Sequence, residues 1–298
     1  RGHNRIMVWN SENPVSGSAA NFFLGQGSFS SDIYATNSTG LGYPSGVSSQ
    51  GSQLFVADTG NNRVLIWNAL PTSNSAASIV VGQSLFTSAT FATSANGLGA
   101  PGFATSDGTN LWVADQGNHR VMMYNPIPSA SNPSASLVLG QADFVTGSPN
   151  AGGLGANTLS SPSHVFSDGT RLVVTDRSNH RVLIWNTLPT VDGQSADVIV
   201  GQPLPNTNSI NYGGLSERSL NSPTSAAIFQ GRLFVADTGN HRILAWNGIP
   251  GTDFALADQV IGQPDLSSAM LNNGAVSESR LFSPLGISIN ALGEMLIN

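Results

Sequence analysis

The chain has 298 residues, 40% apolar and only 9% charged, with a formal net charge of −6. It contains neither Lys nor Cys, which argues against a basic phosphate-binding face and excludes a disulfide framework or a thiolate metal site. Apolar content at this level contradicts disorder, and no apolar run approaches the ~18 residues of a membrane-spanning helix.

The first ten residues, RGHNRIMVWN, are the second half of a motif that recurs whole further on: VADTGNNRVLIWN from Val56, VADQGNHRVMMYN from Val113, VTDRSNHRVLIWN from Val174 and VADTGNHRILAWN from Val235. The last four residues, MLIN, supply the missing half. Each copy predicts a β-hairpin, two β-branched or aromatic runs joined by residues that tolerate turn dihedrals. An Arg follows an Asp by five positions in every complete copy, giving Asp58/Arg63, Asp115/Arg120, Asp176/Arg181 and Asp237/Arg242. Asn298 and Arg5 take these places in the split copy. Charge pairs flanking a turn are expected to staple it or to reach a neighbouring copy, and no catalytic role fits a fivefold column.

Each hairpin sits among further strand signals. A strand is predicted after Pro44, Pro101, Pro162, Pro223 and Pro284, where no ladder donor is needed. A Leu-Pro or Ile-Pro turn follows the hairpin in four copies, with Pro14 serving in the first. A fourth strand then runs into Gly-Gln, at Gln26, Gln83, Gln141, Gln202 and Gln263. The Gly is expected to be buried at a close contact and the Gln to satisfy backbone groups.

The opening prolines are 57, 61, 61 and 61 residues apart, and wrapping through the two termini gives 58. This phase predicts an all-β, five-bladed propeller of four-stranded antiparallel blades covering residues 1–298. The repeats begin near 44, 101, 162, 223 and 284, and the last is completed by residues 1–43. A trimmed fragment of a six-bladed ring is the alternative, and a chain starting at Arg1 in mid-motif is expected to be processed or trimmed.

The pattern P-x-G-V…LFVADTGNHRI…W resembles the NHL repeat across all five units. The resemblance implies a β-propeller. These units depart from it in length, because each carries a Gly/Ser/Asn-rich insertion between Gly-Gln and the next Pro. The insertions span 30–43, 84–100, 145–161, 204–222 and 266–283. They carry a recurring Gly-Leu at Gly40-Leu41, Gly97-Leu98, Gly153-Leu154 and Gly214-Leu215, with Gly274-Ala275-Val276 as the divergent fifth. Strand parity places the insertions on the same side as the Asp…Arg turns, where loops of this length are expected to bind. Shortening them is expected to leave the strands packed.

The remaining chemistry is sparse. His119, His180 and His241 share one column with Asn4 and Asn62. Some proteins that the NHL pattern resembles are metal-dependent lyases, but equivalent turns in neighbouring blades lie too far apart to meet on one ion. His164, alone on a first strand, is the candidate channel residue. The remaining carboxylates are scattered, and no G-x-S-x-G, HExxH or P-loop occurs. The aromatic column Trp9, Trp67, Tyr124, Trp185 and Trp246 is expected in the core, and Phe29, Phe86 and Phe144 are expected to anchor the insertions.

The reading is therefore a non-enzymatic binding or scaffold module, secreted or at the cell envelope or surface. It would present the insertion loops to a protein or glycan, with no nucleic-acid partner, no cofactor and higher-order assembly left open. A lyase or hydrolase with Ca or Zn in a central channel is the alternative.

Overall fold

The computed structural model describes residues 3–10, 17–271, 277–290 and 292–298. Pro14 and the segment Gly274-Ala275-Val276 lie outside them. Every described strand pairing is antiparallel, and the chain divides into two compact units, Arg1–Asn118 with Met122–Ser136, and His119–Val121 with Leu137–Asn298.

The first unit opens with β1 (Ile6–Val8) and β2 (Phe22–Leu24), which pair with each other. A four-stranded sheet follows, made in order by β3 (Gly46–Gln50), β4 (Gln53–Asp58), β5 (Arg63–Trp67) and β6 (Ile79–Val81). The pair β7 (Phe103–Ser106) and β8 (Leu111–Asp115) completes this unit, and β9 (Arg120–Tyr124) falls on the division.

The second unit holds β10 (Leu137–Leu139) and two complete sheets. One is β11 (Pro162–Ser167), β12 (Leu172–Asp176), β13 (Arg181–Trp185) and β14 (Val198–Val200). The other is β15 (Ser225–Phe229), β16 (Arg232–Asp237), β17 (Arg242–Trp246) and β18 (Gln259–Ile261). The pair β19 (Ile287–Ile289) and β20 (Met295–Ile297) ends the chain.

The predicted hairpins form with Asp opposite Arg at the closing position, as in Asp58↔Arg63, Asp176↔Arg181 and Asp237↔Arg242. The fourth strands are shorter than expected. Each stops after three residues, because the Gly that follows takes a positive φ, from +87° to +99° across the five copies, which no ladder accommodates.

Within each unit successive sheets pack on alternating apolar strands. In the second unit Val173, Val182 and Ile184 meet Leu233, Val235 and Leu244; in the first, Val56, Leu65 and Trp67 meet Phe22, Leu24 and Leu41. Trp67, Tyr124, Trp185 and Trp246 are buried, whereas Trp9 is exposed.

Two polar devices tie the sheets together. Hydroxyls just ahead of one first strand donate to carbonyls just ahead of the next: Ser45 Oγ to Gly102 O at 2.7 Å, and Thr224 Oγ1 to Leu285 O at 2.7 Å. The loop before a fourth strand covers the outer edge of the preceding sheet. Val138 N donates to Asp192 Oδ1 at 2.9 Å while Gly193 N donates to Val138 O at 2.9 Å, and Asp253 and Phe254 treat Ile199 in the same way. An outer strand that would otherwise pair with another chain is thereby closed.

Candidate functional site

The Asp…Arg turns and the insertion loops form one structure. After Asp58 the chain makes a single 3-10 turn, Thr59–Asn61, and Asn62 takes a left-handed conformation, φ 52°, that returns it into β5. Asn and His tolerate this region better than most side chains, which accounts for the Asn/His column. Asp58 and Arg63 are fully buried, with Arg63 Nε donating to Asp58 Oδ2 at 2.7 Å. The carboxylate also accepts from Asn61 Nδ2 at 2.8 Å and from Gly42 N, in the insertion loop, at 2.6 Å.

The guanidinium then reaches out of its own hairpin. Arg63 Nη2 donates to Asn37 O at 2.9 Å and Gly40 O at 3.0 Å in the preceding insertion, and Nη1 donates to Phe86 O in the following one. Arg181 repeats this on Gly155 O, Thr158 O and Pro205 O, and Arg242 on Ser216 O, Ser219 O and Leu266 O. Asp115 accepts from Gly99 N and Asn118 Nδ2, while Arg120 donates to Phe144 O at 2.6 Å. Arg5 donates to Phe29 O and Ser31 O. Each Arg with all these bonds described therefore joins two consecutive insertions. Burial pushes the carboxyls of Asp58, Asp176 and Asp237 up, against the arginine and amide donors that face them. Three donors per carboxylate make the ionised form the one this cluster is built to hold.

The Gly-Gln pair fastens the same loops from the other end. Gln83 Nε2 donates to Thr90 O at 2.8 Å, and its Oε1 accepts from Thr90 N at 3.0 Å, seven residues downstream. Gln26 holds Ile33 in this way and Gln263 holds Met270. The preceding Gly lies under a Leu that is buried in the first four copies and half-buried in the fifth. A Cβ on Gly25, Gly82, Gly140, Gly201 or Gly262 would come within 2.6–2.7 Å of Leu41, Leu98, Leu159, Leu220 or Leu281.

This corrects the sequence-based alignment of the insertions. Gly153-Leu154 and Gly214-Leu215 do not occupy the place of Gly40-Leu41. Leu159 and Leu220 do, and the invariant signal is a Leu three residues before each Pro. The expectation that shortened insertions leave the strands undisturbed is also overturned. The insertions provide core leucines and partners of the buried charges, so deleting them strips both. Gly201→Ala is expected to cost about 1–3 kcal/mol from its φ of +95° alone, before the clash with Leu220 is counted. Gly51→Ala, with nothing within 4 Å, is the control that should cost less in urea denaturation.

The His column is part of the same frame. His119, His180 and His241 accept, through Nδ1, the N–H of Ser161, Ser222 and Ser283 at 2.9, 3.0 and 3.1 Å. Asn4 and Asn62 take the N–H of Tyr43 and Ala100 through Oδ1. An accepting Nδ1 requires a neutral ring, and burial holds His119 and His180 below the usual histidine range. His164 lies buried on β11, its titration pushed down to about 3 by burial. Among the described residues no group of three or more His, Asp and Glu could converge on one ion. Of the three anchoring Phe, Phe86 packs against the core while Phe29 is exposed with its ring on Phe23; their carbonyls, not their rings alone, receive the arginines.

The profile of the NHL repeat matches residues 220–246, which run from Leu220, the residue over Gly201, through the Asp237/Arg242 turn to Trp246. Residues 220–246 are an NHL repeat. The matched NHL segment holds both a loop anchor and a buried charge pair, and the other copies repeat its contacts. Comparison with curated protein sequences finds no match. Among solved structures the chain is similar to the Myxococcus xanthus glutaminyl cyclase, with 11% identity, 89% of this chain and 87% of that one covered, and a TM-score of 0.46. It is also similar to the nidogen/laminin complex, with 14% identity, 76% and 66% coverage, and a TM-score of 0.46. Among the described residues no helix is long and apolar enough to cross a membrane.

Proposed function

We propose that this protein is a non-enzymatic binding module whose insertion loops contact a protein or glycan partner. It acts without a metal or cofactor and without nucleic acid, and it works outside the cell or at the cell surface. Its sheets are the blades of a five-bladed propeller, the last blade completed by strands from both termini. Support for a ring of repeats comes from the regular spacing of the opening prolines, 57, 61, 61 and 61 residues apart.

The observation that carries the binding reading is the contrast between backbone and side chains in the insertions. Their carbonyls and amides are fixed by buried Asp, Arg and Gln, while their outward residues differ between repeats and include exposed Ile33, Leu85, Val145, Ile210 and Leu271. Loops ordered before contact lose little entropy on binding, and variable side chains on them give discrimination. Replacing these five with Ser keeps every loop bond to the frame. Wild type and variant would be compared on a glycan array and a peptide display library. The variant is expected to keep its melting temperature and lose the partners that wild type selects. Equal selection by both proteins would overturn the reading.

A further inference from the structure

The first unit carries two aromatic rings, Tyr34 and Phe91, mounted in the same manner. Each stands eight residues after the loop-fastening Gln, directly after the residue whose N–H and C=O that Gln holds. The Tyr34 ring lies against Gly42 and Gly60, where a Cβ would approach it to 2.5 and 3.0 Å. The Phe91 ring lies against Gly99 and Gly117, where the corresponding approaches are 2.5 and 2.9 Å. Tyr34 also donates its hydroxyl to Gly60 O at 2.5 Å, which fixes the ring's orientation.

Glycine pairs and rings occur together. In the later repeats the ring position is Pro149, Ile210 or Leu271, and the place of Gly42 is Ser160, Asn221 or Phe282. Although their rings are backed by glycine backbone, Tyr34 and Phe91 are still 43% and 53% exposed. The segments around them carry almost no charge. Residues 27–43 contain only Asp32, which accepts from Asn4 Nδ2, and residues 84–100 contain none. Thr90 and Asn96, and Asn37 and Thr39, stand exposed nearby in sequence as neutral donors and acceptors.

We propose that Tyr34 and Phe91 are stacking subsites for the pyranose rings of an uncharged oligosaccharide, a proposal that rests on the insertion loops being the binding surface. A sugar ring presents an apolar C–H side and a rim of neutral hydroxyls. A supported planar ring set among hydroxyl and amide groups is complementary to both, at little entropic cost. A charged partner would require countercharge that these segments lack. A purely apolar protein contact would be served equally by an aliphatic side chain, as stands at the same position in the second unit.

The test is titration calorimetry of the full chain with cellohexaose, xylohexaose, chitohexaose and laminarihexaose. At least one is expected to bind, with Phe91→Leu weakening it tenfold or more and Phe91→Tyr within threefold of wild type at an unchanged melting temperature. Binding by none of the four, or binding that Phe91→Leu leaves intact, overturns the proposal. Should the five-Ser variant lose affinity while Phe91→Leu does not, the stacking subsites fall and the loop reading stands. Indifference to both variants removes both.

Discussion

Asp237→Ala is expected to destabilise the protein by about 3–5 kcal/mol, because it leaves a fully buried guanidinium without its carboxylate. The loss extends beyond one ion pair. Asp237 Oδ1 accepts from Asn221 N at 2.7 Å, and Oδ2 accepts from Asn240 Nδ2 and Arg242 Nε at 2.7 Å each. All three donors are stranded together. Asp168→Ala is the control, since its contact to Arg171 is 3.4 Å long and partly exposed, and its ion pair is worth less than about 1 kcal/mol. Urea denaturation of the two variants should separate them by several-fold. Loss of partner binding by Asp237→Ala at an unchanged melting temperature would instead make this column part of the binding surface.

Much of the frame was legible because its chemistry repeats. Asp and Arg five apart across a turn, Pro at a strand entrance and Gly-Gln after an apolar run each appear in register, and each has a local physical meaning. The long-range half was not legible. Nothing local to Arg242 indicates that it donates to Leu266 O on one side and Ser216 O on the other, since backbone carbonyls leave no mark in a sequence. The loops were misaligned for a related reason. Gly-Leu looked like the repeating element, whereas the structure keeps the Leu that is fixed in distance from the following Pro, over a Gly with positive φ. The His column invited a metal reading because its true partners are also backbone groups, the N–H of residues 42 positions later.

Acidification is expected to weaken the protein well above the carboxylate range. The His164 ring titrates near 3 in the folded chain, below the ordinary histidine value of about 6.5. Above pH 6.5 the ring is neutral in both states, and its contribution does not change with pH. As pH falls below 6.5 the unfolded chain takes up a proton that the folded chain refuses, so stability drops by up to about 1.4 kcal/mol per pH unit until the folded value is reached. Between pH 7.5 and 5.0 this amounts to about 2 kcal/mol from His164. His119 and His180 shift in the same direction and add to the loss. Urea denaturation at the two pH values would measure it. His164→Asn should show a shallower pH dependence than wild type; an identical dependence would mean that the ring titrates normally.

Arg63, Arg181 and Arg242 each hold two insertion loops at once, and amide hydrogen exchange on an arginine variant tests this most directly. In Arg242→Met, protection should fall in residues 204–222 and 264–271, whose carbonyls Arg242 engages, while residues 84–100 keep wild-type protection. Unchanged protection in both of the contacted segments would contradict the claim.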